Sequence, residues 1–265
     1  VKTKAHTAPV GHGVAVLDFD GVICDSVDEC LAASFLAAYE LQGLAAPAGG
    51  PAARRERFAR MRVFIRSGED YLLIHRLIDA GVEVRDQAGF DGHVRGAGRQ
   101  EMARFHELFY RGRRALMERD RDAWLAMNRI YPQARAALRA AAGKPLFILS
   151  TKRPEYIHEI LGHAGIPVPP AQVLYSGEDP KLPLVEKLRV DGGFARAAFV
   201  DDQVDHLLRN PFPLVSVHLA SWGYVAGLEP ARLAGIPVLD AAELPGLVAS
   251  VTGGGAGHGD SGRVQ

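Results

Sequence analysis

The 265-residue sequence predicts an α/β protein, a doubly wound, Rossmann-like parallel-sheet core carrying a second, α-helical domain. Three observations predict it. Short apolar runs bounded by turn residues recur along the chain, and amphipathic helical stretches separate most of them. The alternation then breaks once, between Glu40 and about Tyr131, where helical periodicity takes over.

The first run, Val14 to Leu17, is apolar at every position, as a strand buried on both faces requires. Ser26-Val27-Asp28-Glu29 then reads as a capping box opening a helix with Leu31, Phe35, Leu36 and Tyr39 on its apolar side. The Gly/Ala/Pro cluster from Gly43 to Ala53 is a loop and hinge. Helical patterns follow at Phe58 to Ile65, Tyr71 to Ala80 and Met102 to Leu125, with a polar loop from Arg85 to Gly98. Pro132 opens a helix through Leu138 that stops at Gly143, and Pro154 opens another whose apolar side holds Tyr156, Ile157, Ile160 and Leu161. The remaining strands fall at Pro145 to Leu149, Gln172 to Tyr175, Ala197 to Val200, Leu214 to Val217 and Pro237 to Leu239. Residues 1–40 and 131–252 are thus expected to form the core, 41–130 the helical domain and 253–265 a flexible tail.

Composition narrows the function. Lys and Arg total 31 against 31 Asp and Glu, so no global field favours nucleic acid or an acidic membrane, and any anion site must be local. No apolar stretch reaches the roughly 18 residues of a membrane span. Cys24 and Cys30 have neither a zinc spacing nor a disulfide framework, which points to a reducing cytoplasm. The chain starts with Val rather than Met, compatible with an upstream segment. Nothing in the pattern sets an oligomeric state.

The chemistry begins at Asp18-Phe19-Asp20-Gly21, directly after the first strand. Alternate residues of an extended strand end point the same way, so Asp18 and Asp20 can address one ligand. Two anions that close call for a cation, and oxygen ligands suit Mg²⁺. Alone, Asp-x-Asp-Gly also reads as a solvated turn. A second apolar strand tipped by Asp201 and Asp202 makes convergence of acids on one sheet edge the better explanation, because unpaired clustered carboxylates cost free energy. Ser150, or Thr151 beside it, supplies a hydroxyl before the helix opened by Pro154, where backbone N–H groups can hold a phosphate oxygen. Lys152 and Arg153 adjoin it as candidates for substrate contact. Lys181, with Lys187 as a competitor, offers a cation to balance developing negative charge.

In that order these parts resemble the haloacid dehalogenase superfamily, in the phosphatase branch with a helical cap after the first motif. Ser221-Trp222-Gly223-Tyr224 resembles a loop of phosphoglycolate phosphatases. The resemblance implies an Mg²⁺-dependent phosphatase acting on a small phosphorylated metabolite through an aspartyl-phosphate. Asp18 would be the nucleophile, Asp20 the general acid and base, and Ser150 a hydrogen-bond donor to the phosphoryl group. Mg²⁺ would be held by Asp18, the Asp20 carbonyl and Asp201 or Asp202. Alignment of the fourth motif on Asp201 brings Asp205 to the position of a further acid, and alignment on Asp202 brings His206 there, so the direct ligand stays open. Dehalogenation is disfavoured by Asp20. Between Glu40 and Tyr131 there is no lysine for a phosphonate-type Schiff base. A sugar-phosphate mutase of the β-phosphoglucomutase kind and a noncatalytic phosphometabolite binder are the alternatives.

The cap stretch also carries Arg54, Arg55, Arg57, Arg60, Arg62 and Arg66, and further on Arg111, Arg113 and Arg114. These read as solvated helix faces or as cations that select a second anionic group. His75, Cys24 and Trp124 are expected to pack.

Overall fold

The computed structural model describes residues 12–177 and 179–253. Apart from Gly253, the expected tail lies outside them. In chain order the strands are β1 (Val14–Leu17), β2 (Cys24–Asp25), β3 (Arg129–Ile130), β4 (Leu146–Ser150), β5 (Val173–Tyr175), β6 (Ala197–Asp201), β7 (Val215–Ala220) and β8 (Val238–Leu239). Six of them form one parallel sheet in the order β5-β4-β1-β6-β7-β8.

From β1 the chain fills one side of this sheet and then the other, so the order reverses beside β1. The crevice beyond the carboxyl ends at such a reversal is where open parallel sheets bind ligands. Leu17 pairs in register with Ile148 and with Val200, which brings the tips of β1 and β6 level.

The helices are α1 (Val27–Ala38), α2 (Arg55–Arg62), α3 (Asp70–Asp79), α4 (Gln87–Ala97), α5 (Arg99–Arg119), α6 (Arg121–Ala126), α7 (Pro132–Ala140), α8 (Pro154–His163), α9 (Lys181–Asp191), α10 (Val204–Leu207), α11 (Glu229–Leu233) and α12 (Leu244–Thr252). Val14 and Val16 pack with Leu149, Phe199 and, from α9, Val185. Ala15 and Leu17 belong to the other cluster, with Ile148, Val200 and the α12 residues Leu244 and Val248. A strand that feeds two cores needs an apolar residue at every position, which is why β1 was legible.

The helical insertion, α2–α6, follows β1 and forms a layer over the sheet's carboxyl edge. Helix α1, placed with the core in the sequence reading, makes its most extensive contacts with α5 and α3. Gly112 on α5 permits that approach, since a Cβ there would sit 2.3 Å from the Ala33 carbonyl oxygen. Strands β2 and β3 pair antiparallel where the chain crosses between sheet and helical layer. At two residues each they carry no readable alternation. Ser26 makes no capping hydrogen bond; the Asp25 carboxylate instead accepts from Val27 N–H at 3.2 Å, and Glu29 is fully buried. The expected capping box is therefore not formed.

No helix among the described residues is long and apolar enough to cross a membrane. Both cysteines are free and buried. Trp124 is fully buried, and His75 sits in the helical layer with Nε2 2.9 Å from Ser34 Oγ.

Candidate active site

Asp18 directly follows β1, and its N–H donates to the Val200 carbonyl at 2.9 Å, carrying the pairing with β6 one residue past the strand. Asp201 ends β6 and Asp202 follows it. One carboxylate oxygen from each of Asp18, Asp201 and Asp202 falls within a group spanning no more than 4.8 Å, and all three side chains are buried. The strand tips that the sequence suggested should meet do meet.

The two adjacent acids of β6 are engaged differently. Asp201 accepts from Gln203 N–H at 2.8 Å on one oxygen; the other lies 2.8 Å from Lys181 Nζ and 2.9 Å from His206 Nδ1. Burial pushes the Asp201 pKa up, but Lys181 and His206 outweigh it and hold it well below the usual carboxylate range. Among the described residues, Asp202 accepts only from Tyr224 N–H, at 2.7 Å. Burial, with Asp201 and Asp18 alongside, pushes its pKa from 3.8 to about 7. Asp18 is pushed to about 6, chiefly by burial, with Lys181 opposing. Its Oδ1 lies 3.0 Å from Lys181 Nζ, yet at an angle that makes no hydrogen bond, and has no other partner among the described residues.

A buried carboxylate oxygen that accepts no hydrogen bond, beside a carboxyl driven toward neutrality, in an all-oxygen donor set, fits a hard divalent cation such as Mg²⁺. Asp18 and Asp202 have oxygens to offer, whereas Asp201 is committed to holding Lys181 and the Gln203 turn. Gly21 allows Asp202 into place. Its φ is +91°, and a Cβ there would fall 1.9 Å from Asp202 Oδ2.

These raised values have a measurable consequence. In the folded protein both carboxyls keep protons above the ordinary Asp value of 3.8, so without metal their contribution to stability falls as pH rises from about 4 through about 7. A divalent cation binds the ionised form and opposes that trend. The gain in Tm on adding Mg²⁺ is therefore expected to grow from about pH 5 to about pH 8 in thermal melts. A gain independent of pH would show that these carboxyls do not take the cation.

Asp20 is separate from the trio. Lys152 Nζ donates to Asp20 Oδ1 at 2.9 Å. Burial raises the Asp20 pKa, but Lys152, Ser26 and Arg62 together bring it below the ordinary value. Lys152 in turn lies 3.7 Å from Glu29, which Arg113 grips through two nitrogens at 2.7 and 2.8 Å, while Trp124 Nε1 donates to the same carboxylate at 3.2 Å. A buried chain of alternating charge, Arg113–Glu29–Lys152–Asp20, thus runs from α5 and α1 to the sheet edge.

The cavity above these groups is small, about 40 Å³, and its lining includes Asp18, Asp20, Asp202, Lys181, Thr151 and Lys152 from the core side. Strand β4 runs one residue further than expected and includes Ser150, whose buried Oγ accepts from Lys152 N–H at 3.1 Å. Thr151 faces the cavity; Ser150 is not part of the lining. Arg153 lies outside, exposed, over the Tyr110 ring at 5.2 Å. Lys187 is exposed and paired with Asp191 at 2.5 Å, and Asp205 pairs with Arg66 at 2.6 Å, away from the acid group.

Three residues of the cavity come from the cap arginines, the buried Arg62 and Arg113 and the exposed Arg66, while the buried Glu29 was read only as a capping residue. The signal for the arginines was periodicity: Arg62 falls four residues after Phe58, and Arg113 four after Phe109, each on the apolar stripe of its helix. The helical layer reaches the core through Arg66 to Asp205, through Gln203 Nε2 donating to the Ile65 carbonyl, and through Arg62 over Tyr224.

Comparison with known proteins agrees with this geometry. The family model described as hydrolase, haloacid dehalogenase-like hydrolase, matches residues 13–208. No curated protein matches the sequence. Among solved structures, a phosphoglycolate phosphatase assigned by prediction from Haemophilus somnus is similar, with a TM-score of 0.56 at 16% identity over 91% of this chain and 99% of that one. A subfamily IA haloacid dehalogenase hydrolase from Geobacter sulfurreducens gives 0.51 at 15% identity over 91% and 99%. A predicted phosphatase from Clostridium acetobutylicum gives 0.52 at 13% over 90% and 99%. At these identities the likeness concerns the fold.

Proposed function

The chain belongs to the haloacid dehalogenase-like hydrolase family, and on that premise we propose that it is an Mg²⁺-dependent phosphatase acting on a small phosphorylated metabolite through an aspartyl-phosphate. The observation that carries this reading is the meeting of Asp18, Asp201 and Asp202 at adjacent strand tips, with Lys181 between Asp18 and Asp201.

Asp18 attacks phosphorus, and its carboxylate becomes the acyl phosphate as the ester oxygen leaves. Asp18 and Asp202, with the Asp20 carbonyl, would hold Mg²⁺, which when bound supplies charge neutralisation that lets one anion approach another. Lys181 is kept protonated by Asp18 and Asp201 against the opposing effect of burial, and it balances charge growing on the phosphoryl oxygens. Thr151 faces the cavity where those oxygens would lie, while Ser150 anchors the Lys152 backbone, so Thr151 takes the hydroxyl role and Ser150 supports it.

Asp20 is the acid and base. Lys152 holds it ionised here, the form that accepts a proton from the water that hydrolyses the intermediate. Protonating an alkoxide in the first half-reaction requires Asp20 to gain a proton first. A leaving group as good as an aryl oxide needs none.

The test is phosphate release from an aryl phosphate ester and from a panel of phosphorylated metabolites, with and without EDTA. Release is expected with Mg²⁺ and at most about 1% of it after chelation. Undiminished release in EDTA would refute the metal-dependent reading. Isomerisation of a sugar phosphate with little free phosphate would assign a mutase instead.

A further inference from the structure

Among the described residues, every buried cation lining the cavity has a carboxylate, except one. Lys152 has Asp20 and Glu29, Lys181 has Asp18 and Asp201, and Arg113 has Glu29. Arg62, 5% exposed, makes no side-chain hydrogen bond or ion pair among the described residues, and its Nε and Nη1 are buried without partners. Arg54, the other buried arginine of α2 and the turn before it, is paired with Asp79. Arg62 is thus the exception within its own helix as well as within its cavity.

What holds Arg62 is aromatic. Its guanidinium lies 4.0 Å from the centroid of the Tyr224 ring and 5.5 Å from that of Tyr71. Attraction to a ring face leaves the N–H donors of Nε and Nη1 unused. Asp20 and Asp202 feel its charge but lie beyond ion-pair distance. A fixed, desolvated fork with unused donors is costly unless something accepts from it, and forked N–H groups suit an oxyanion. Ser67 and Gly68, in the turn after α2, line the same cavity.

We propose that Arg62 binds a second oxyanion of the substrate, so that the preferred substrate is a short phosphate monoester with a carboxylate or a further phosphate at its other end. This rests on the phosphatase reading above and deepens it. Arg62 lines the same cavity as Asp18, Lys181 and Thr151, so the second anionic group is read within the cavity that takes the first. Arg62 touches the non-reacting end and discriminates substrates; its charge also reaches Asp20, an effect that is the same for every ester and so leaves the ratio between esters to report the second anion.

The experiment compares three esters differing only at the far end, which bears a carboxylate, a phosphate or a carboxamide. Wild type and Arg62→Gln are assayed by kcat/KM, and binding of the same esters is measured by calorimetry in an Asp18→Asn background that does not turn over. In wild type the carboxylate or the phosphate ester is expected to exceed the carboxamide by about 30-fold or more, and in Arg62→Gln that ratio is expected to fall below about 3. Which anionic ester leads identifies the second group. Equal treatment of the three esters by wild type overturns the proposal, as does an equal loss on all three in Arg62→Gln, which would mark Arg62 as a mere counterweight to the acids. Should Arg62→Gln fail to fold in a thermal melt, Arg62→Lys takes its place and is expected to give an intermediate ratio. Should no ester be hydrolysed, aryl phosphate included, the phosphatase reading falls, and the calorimetric ratio still decides whether Arg62 reads the second anion.

Discussion

Asp18→Asn is expected to lower kcat on an aryl phosphate by at least about 10⁴-fold, because the amide cannot form the acyl phosphate that the proposed reaction passes through. The same change is expected to leave the metal-free protein at least as stable as wild type at about pH 8. Burial and the nearby Asp201 and Asp20 raise the Asp18 pKa to about 6 against 3.8 unfolded. An ionised Asp18 therefore costs the folded state free energy above pH 6, and a neutral amide removes that cost. Lys181 keeps its contact with Asp201 at 2.8 Å, so no buried cation is orphaned. With Mg²⁺ the order reverses, since wild type gains from the metal and the variant loses a ligand. Phosphate release and paired thermal melts with and without Mg²⁺ check both halves. Retention of more than about 1% of activity would remove Asp18 from the nucleophile's role.

This coupling of lost activity to unharmed stability reflects what a sequence exposes and what it conceals. Strand β1 and the tip of β6 were legible because a strand buried on both faces is apolar throughout, so a carboxylate at its end stands out. Lys181 stood out against Lys187 by its position at a helix start, and the structure puts it between Asp18 and Asp201. Arg62 and Arg113 were visible only as members of arginine-rich stretches. Their partners, an aromatic ring 162 residues away for Arg62 and a carboxylate 84 residues away for Arg113, are set by packing between elements that no local pattern connects. Glu29 was misread because Ser-x-x-Glu is a true capping pattern in general. Here Asp25, in the short β2 strand, takes the capping role and frees Glu29 to turn inward.

Glu29→Ala is expected to destabilise the protein by about 3–5 kcal/mol, the range for removing one partner of a buried ion pair. Glu29 is fully buried and Arg113 3% exposed. Without the carboxylate, the Arg113 guanidinium would face the rings of Phe109, Tyr110 and Tyr156, Trp124 Nε1 would lose its acceptor, and Lys152 would keep only Asp20. Burial raises the Glu29 pKa, but Arg113 and Lys152 overcome it and hold it below 4.5. A depressed carboxylate contributes stability above its unfolded pKa and loses that contribution as pH falls through the folded value. The deficit of Glu29→Ala should therefore be full at neutral pH and shrink in acid below about pH 4.5. Replacing both partners, as in Glu29→Leu with Arg113→Met, is expected to recover much of the loss, because a buried pair exchanged for apolar groups leaves no orphaned charge. Urea denaturation of the two single variants and the double variant measures the cycle. A loss under about 1 kcal/mol for Glu29→Ala would mean that water reaches Arg113, and that the charge chain from the helical layer to Asp20 is not sealed.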